Sequence, residues 1–126
     1  MTILQRIMEE LNIREMHEIP TALTKTLLDS NACSALLKAI KPYYSYEALL
    51  AEFEEHSADR KNYMQDYTPQ CVLDIIGSIT PGGDVRDVCA GIGGLSLAKF
   101  KSDNTVTLRL EEYSKNAIAF MLFNLL

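Results

Sequence analysis

Cysteine is scarce in this chain of 126 residues. Cys33, Cys71 and Cys89 are odd in number and far apart. That spacing suggests neither a disulfide framework nor a zinc cluster, and it points to a reducing cytosol. Long apolar runs are missing too. None reaches the roughly 18 residues that would read as a membrane span. The opening MTILQRIMEELN carries acids inside its apolar pattern and has no small-residue cleavage site, so it does not read as a signal peptide. Basic charge is in deficit, with 12 Lys and Arg against 17 Asp and Glu, a net charge of −5. A protein that holds duplex DNA unaided usually shows a basic stripe. Here the densest basic spot is Arg60-Lys61, which is too small for strong independent DNA binding. His17 and His56 have no partner at metal-ligand spacing and read as surface residues. No internal repeat and no low-complexity segment is visible.

What remains is an ordinary globular composition, 48% apolar and 23% charged, at a length suited to one compact domain. The pattern changes near residue 60. Before it, apolar residues recur at helical spacing: Ile3, Ile7, Met8 and Leu11 over 2–11, and Leu23, Leu27 and Leu28 over 20–29. Leu36, Leu37 and Ile40 follow over 31–40. Lys41-Pro42-Tyr43-Tyr44 breaks the run, and Ser45 caps a fourth helix over 46–57, with Leu49, Leu50 and Phe53 inward and Glu52, Glu54 and Glu55 mostly outward. Residues 1–58 thus read as a helical bundle, in which Tyr43 and Tyr44 are packing residues.

Residues 59–126 alternate helix and strand, which predicts an α/β region. Thr68-Pro69 starts a helix, with Thr68 as cap and Pro69 in the first turn. Val72, Ile75, Ile76 and Ile79 form its apolar stripe. Pro81-Gly82-Gly83 turns the chain, and 84–89 reads as a strand whose last residue, Cys89, is a small buried hydrophobe. A glycine-rich turn, Ala90-Gly91-Ile92-Gly93-Gly94, leads into a short helix over 95–101. A second strand over 105–110 puts Val106, Leu108 and Leu110 on one face and leaves the other wet. Ser114 caps a final helix running to Leu126. Ile118, Phe120, Met121, Leu122, Phe123, Leu125 and Leu126 surround that helix with apolar surface, more than a two-stranded sheet can bury. An unpaired first strand and this helix together predict a homodimer.

Strand, glycine turn, helix, strand and acid is the order that binds an adenosine-containing cofactor. Glycines let the backbone approach the ligand, and a carboxylate ending the second strand accepts the ribose hydroxyls. Glu111 and Glu112 follow Gly93 by 18 and 19 residues, near the expected interval of about 20. By spacing alone, either acid fits.

Asp87-Val88-Cys89-Ala90-Gly91-Ile92-Gly93-Gly94-Leu95 resembles the D-P-x-x-G-T-G-G cofactor motif of the N-6 adenine DNA methylase family, which includes type I restriction-modification subunits. Gln65-Asp66-Tyr67-Thr68-Pro69 resembles that family's Tyr-Thr-Pro element, and Ala58-Asp59-Arg60-Lys61 resembles methylases of Gram-positive phages and plasmids. Glu112 stands 12 residues before Asn124, similar to the family's acid-to-asparagine stretch. The resemblance implies a partial Rossmann-like methyltransferase region. It implies an S-adenosylmethionine site at Tyr67, Thr68, Pro69, Asp87, Ala90, Gly91, Gly93 and Glu112, with Glu112 chosen for the ribose. Two departures stand out: Val88 replaces the motif's proline, and Ile92 replaces its small polar residue. The bulk of Ile92 implies cofactor binding that is weak or lost.

The family's base-binding motif, N-P-P-Y-like, cradles a flipped adenine. Pro20, Pro42, Pro69 and Pro81 are never adjacent, so no such motif lies within these residues. The expectation is the cofactor-binding N-terminal part of a DNA adenine methyltransferase, with no catalytic residues and no activity alone. Its expected partners are a second copy or the methylase's C-terminal half, with DNA only in the full-length context. The alternative is a non-catalytic phage-type protein, derived from a methylase, that acts on a host defence protein. Either is expected in the cytoplasm.

Overall fold

The computed structural model describes residues 1–56 and 67–126. The chain divides into two compact units, Met1–Asp66 and Tyr67–Leu126. The expected boundary at 58/59 and the Ala58-Asp59-Arg60-Lys61 and Gln65-Asp66 segments lie outside the described residues.

The first unit is helical. Helices α1 (Ile3–Leu11), α2 (Ile19–Leu27), α3 (Ser30–Ile40) and α4 (Tyr46–His56) are joined in part by single 3₁₀ turns at Met16–Glu18 and Lys41–Tyr43. Each start has a local cause. Thr2 and Gln5 form a reciprocal capping box on α1. Asp29 accepts the Ala32 N–H at 2.8 Å to open α3, and Ser45 accepts the Ala48 N–H at 3.3 Å to open α4. The core is Leu4, Ile7, Ile19, Leu23, Leu49 and Phe53, all without solvent exposure. Burial of each such side chain contributes about 1.5–3 kcal/mol.

Three expectations are corrected in this unit. Leu28 is 78% exposed, because α2 ends one residue before it and Asp29 already caps the next helix. Tyr43 is exposed rather than packed inward, and its ring lies 5.4 Å from the Arg6 guanidinium carbon. Glu52 is not merely a solvated acid. Its carboxylate accepts the Ile3 N–H at 3.0 Å and the Leu4 N–H at 2.8 Å. One helix thus supplies the anion that satisfies free amides at the start of another.

The second unit is α/β: α5 (Gln70–Ile79), β1 (Asp84–Asp87), α6 (Gly94–Ser102), β2 (Thr107–Leu110) and α7 (Lys115–Leu125). Among the described residues the sheet has two parallel strands, with Asp84 opposite Thr107, Val85 opposite Leu108, Arg86 opposite Arg109 and Asp87 opposite Leu110. One face carries the exposed Asp84, Arg86, Thr107 and Arg109. The other carries the half-buried Val85, Asp87, Leu108 and Leu110. The like charges of Arg86 and Arg109 face each other in register. Each is relieved diagonally, Arg86 by Glu111 and Arg109 by Asp84 at 3.5 Å.

Helix α5 starts differently from expectation. Pro69 occupies the cap position, and no side chain caps it, Thr68 included. Its buried face is also not the predicted stripe. Leu73 and Gly77 are buried, whereas Val72, Ile75 and Ile79 are 38%, 61% and 73% exposed. Gly77 explains this. A Cβ at that position would lie 2.9 Å from the Ala98 carbonyl carbon, so α5 and α6 meet backbone to backbone. Two polar ties hold the seam: Lys99 Nζ donates to the Thr80 carbonyl at 2.8 Å, and Ser102 Oγ donates to the Gly77 carbonyl at 3.0 Å. The smallest residue, not the most apolar stripe, selects the contact face.

Helix α7 starts at Ser114, whose side chain accepts the Ala117 N–H at 3.3 Å. Ala117, Ala119, Phe120, Met121 and Phe123 are buried, and Ile118, Leu122 and Leu125 are half-buried. The bare second face expected of this helix is therefore not observed. No helix among the described residues is long and apolar enough to cross a membrane.

Candidate cofactor site

After Asp87 the chain leaves β1 and enters the glycine turn. Gly91 at φ +56° and Gly93 at φ +89° occupy left-handed conformations that a side chain disfavours. Gly93 caps α6, so the turn delivers the chain directly to the helix N-terminus. Backbone pairing continues past β2: the Glu111 N–H donates to the Asp87 carbonyl at 2.8 Å, and the Ala90 N–H donates to the Glu111 carbonyl at 3.0 Å. This brings the acid pair level with the turn and sends the two side chains to opposite places.

Glu111 turns to the exposed face, where Arg86 Nε donates to it at 2.9 Å. Glu112 borders the turn. Its Oε2 accepts the Gly91 N–H at 2.7 Å and its Oε1 accepts the Ser114 N–H at 2.8 Å. Tyr67 lies against the same place, with ring carbon Cε1 2.8 Å from where a Gly91 Cβ would sit. Thr68 is half-buried and Pro69 exposed. Asp87 accepts the Cys89 N–H at 3.2 Å and the Ser96 hydroxyl at 3.3 Å. Tyr67, Gly91 and Glu112 thus converge. Ala90 and Gly93 are joined within the turn by a Gly93 N–H to Ala90 carbonyl bond of 2.8 Å.

Ile92 departs from the resembled motif without filling the turn. It is 1% exposed, so its bulk is buried, and its carbonyl accepts Asn124 Nδ2 at 2.7 Å. A Gly93 Cβ would sit 3.4 Å from Met121 Cγ and 3.6 Å from Leu125 Cδ1, so α7 underlies the turn. Cys89, expected buried, is exposed, because β1 ends two residues earlier and the chain there has left the sheet.

A cavity of about 240 Å³ lies beside β1, lined in part by Ile76, Thr80, Val85, Val88 and Leu95. Of the predicted cofactor residues it touches only Asp87. It is therefore a separate feature from the Gly91–Glu112 turn. Among the described residues no group of three His, Cys, Asp or Glu side chains could hold a metal ion.

Chemically, the turn offers a carboxylate at the carboxyl ends of parallel strands, held by two backbone N–H groups and with lone pairs to spare. Such an acceptor suits a neutral diol, whose hydroxyls can donate to it. Sequence reasoning missed one participant, Ser96, and left another, Asn124, as a motif position without a role. Ser96 is a buried hydroxyl between Leu95 and Leu97, visible as a polar break in an apolar start to α6. Asn124 is a buried amide in the apolar stretch from Ala117 to Leu125. A buried polar side chain needs a partner, and that requirement could have marked both. No family, curated protein or solved structure matches this chain.

Proposed function

We propose that the chain is the S-adenosylmethionine-binding N-terminal part of a DNA adenine-N6 methyltransferase, built on a partial Rossmann-like region. The observation that carries this reading is the 2.7 Å contact between the Glu112 carboxylate and the Gly91 amide, with Tyr67 against the same turn. Three separate segments whose order resembles one family's motifs meet at one point. The residues fit an adenosine ribose. The glycines leave the turn open to close approach, Ile92 is directed into the interior, and Glu112 is placed to accept the hydroxyls. Asp87 and Ser96 hold the strand end beneath them. When bound, the cofactor supplies the transferable methyl group, and these residues orient it. With no N-P-P-Y-like motif, these residues have nothing to hold a flipped adenine, so the reading assigns cofactor binding and no methyl transfer by this chain alone. It also leaves room for a partner, either a second copy or the methylase's C-terminal half.

Titration calorimetry tests it. The expected dissociation constant for S-adenosylmethionine is about 100 μM or weaker, near −5.5 kcal/mol, and Glu112→Ala should remove the signal. Binding indifferent to Glu112→Ala overturns the assignment, and a submicromolar constant would show that the site is complete rather than weakened. Labelled cofactor and unmethylated DNA should leave the DNA unlabelled, and incorporation above a no-protein control counts against it.

A second reading has its own support. The exposed stripe Val72, Ile75 and Ile79 and the net charge of −5 suit a non-catalytic phage-type protein, derived from a methylase, that engages a host defence protein. Under that reading Glu112 serves only to brace the turn through Gly91 and Ser114, and the cofactor titration is silent.

A further inference from the structure

The outer edge of β1 has a self-complementary charge pattern. Backbone groups of alternate residues in a strand point to opposite edges. The Gly83 carbonyl accepts the Thr107 N–H and the Asp87 carbonyl accepts the Glu111 N–H. Gly83, Val85 and Asp87 therefore bond toward β2, and Asp84 and Arg86 present their N–H and C=O groups to the outer edge. No strand among the described residues pairs with that edge.

We propose that this edge pairs antiparallel with the same edge of a second copy, in a two-fold dimer centred on Val85. Register decides it. An antiparallel pair centred on Arg86 sets Arg86 against Arg86, and one centred on Asp87 sets Asp87 against itself. Centring on Val85 sets Asp84 of each copy opposite Arg86 of the other, twice by symmetry. Those are also the residues whose backbone groups face outward, so they form the hydrogen-bonded pairs. Val85 meets its counterpart at the closer, non-hydrogen-bonded position, where an apolar pair fits best.

The surroundings agree with this register. Val85 lines the cavity beside β1 together with Ile76 and Leu95. Val88 is 58% exposed just past the strand, and Ile75 and Ile79 are exposed on α5. A two-fold axis perpendicular to the sheet puts α5 of both copies on one face of a four-stranded sheet, β2-β1-β1-β2. The interface uses this edge and α5, not α7. It is independent of cofactor binding, because Asp84 and Arg86 lie outside the glycine turn, but it competes with the methylase's C-terminal half, whose strands would continue the sheet from this same edge.

Charge reversal tests it in the whole chain. Asp84→Arg gives an edge with two arginines, and Arg86→Asp gives one with two aspartates. Each alone should weaken the dimer about tenfold or more, the scale of two like-charge cross-strand pairs. The double variant restores complementarity and should dimerise like wild type. The two single variants, mixed, should form a heterodimer, since two arginines then face two aspartates. The intramolecular partners lost, Glu111 and Arg109, belong to exposed pairs that contribute little to folding, and circular dichroism should show unchanged helix content. Sedimentation or light scattering reads the mass, with wild type at twice the 14.1 kDa chain. A wild-type monomer at all soluble concentrations, single variants that dimerise like wild type, or single variants that stay apart when mixed overturns the proposal. S-adenosylmethionine titration of the same variants should match wild type, so failure of the dimer and failure of the cofactor site are read separately.

Discussion

The two units differ in how they use their apolar residues. In α1–α4 the large aliphatic and aromatic side chains converge, and Leu4, Ile7, Ile19, Leu23, Leu49 and Phe53 are all fully buried. In the second unit α5 turns Ile75 and Ile79 outward and buries a glycine instead. The first unit closes on side-chain volume. The second closes partly on backbone proximity, helix α6 ties and a turn with two left-handed glycines. Left-handed glycines and exposed apolar surface therefore collect in the half that also carries the candidate site. That is the expected division where one region supplies stability and another keeps groups available for binding.

Substitutions can break or sharpen this contrast. The largest effect is expected in the volume-packed unit. Phe53→Ala removes a fully buried ring and should cost about 3–5 kcal/mol, read from urea unfolding by circular dichroism, with faster hydrogen exchange in α1 and α4. A cost under about 1 kcal/mol would show that the bundle is loosely packed and the contrast false.

Gly77→Ala probes the backbone-packed unit. The added methyl meets Ala98 and Lys99 backbone atoms at 2.9–3.1 Å, which cannot rotate away. Overpacking of this kind costs about 1–3 kcal/mol, while the helix-propensity gain from glycine to alanine is at most about 1 kcal/mol. Net destabilisation is expected, and a stabilised Gly77→Ala would mean that the seam has slack. Asn124→Ala should cost a similar or slightly smaller amount, about 1–3 kcal/mol for a buried carbonyl left without its donor. It should also loosen the glycine turn, so that amide exchange at Gly91 and Gly93 rises. Unchanged exchange there would separate α7 from the turn.

The smallest effect is a pH dependence confined to the helical unit. Burial, with smaller contributions from Tyr44 and Glu54, pushes the Tyr46 hydroxyl up to about 12. A raised folded value stabilises the neutral form. Its contribution is complete below the ordinary tyrosine value of about 10 and is lost as pH rises toward about 12. Tyr46→Phe should flatten the alkaline limb of stability against pH. An identical limb in wild type and Tyr46→Phe would place the titrating group elsewhere.

Much of the fold was legible in the sequence because its signals are local. Ser45 and Ser114 act as the caps they resemble, and the alternation of Val106, Leu108 and Leu110 gave the sheet its wet and half-buried faces. The glycine turn was readable because few other residues tolerate φ values of +56° and +89°. What could not be read depends on partners distant in sequence. Glu52 looks like any exposed helix acid until α1 brings its free amides to it, 48 and 49 residues away. The stripe on α5 satisfies every periodicity rule, yet periodicity cannot say that α6 will approach close enough to require Gly77. Glu111 and Glu112 were equivalent by spacing and differ only because the strand pleat sends one toward Arg86 and the other toward Gly91.

The short charged edge of β1 also bears on aggregation. An unpaired strand edge is a template on which identical chains can stack without limit. Amyloid-type stacking is commonly parallel and in register, and here it would lay Asp84 on Asp84 and Arg86 on Arg86 along the whole fibre. Every added chain would meet the same repulsion, and four residues of backbone bonding offer little to offset it. The alternation of acid and base therefore acts as a geometric filter on this edge: it penalises the arrangement that grows and spares the antiparallel one that closes.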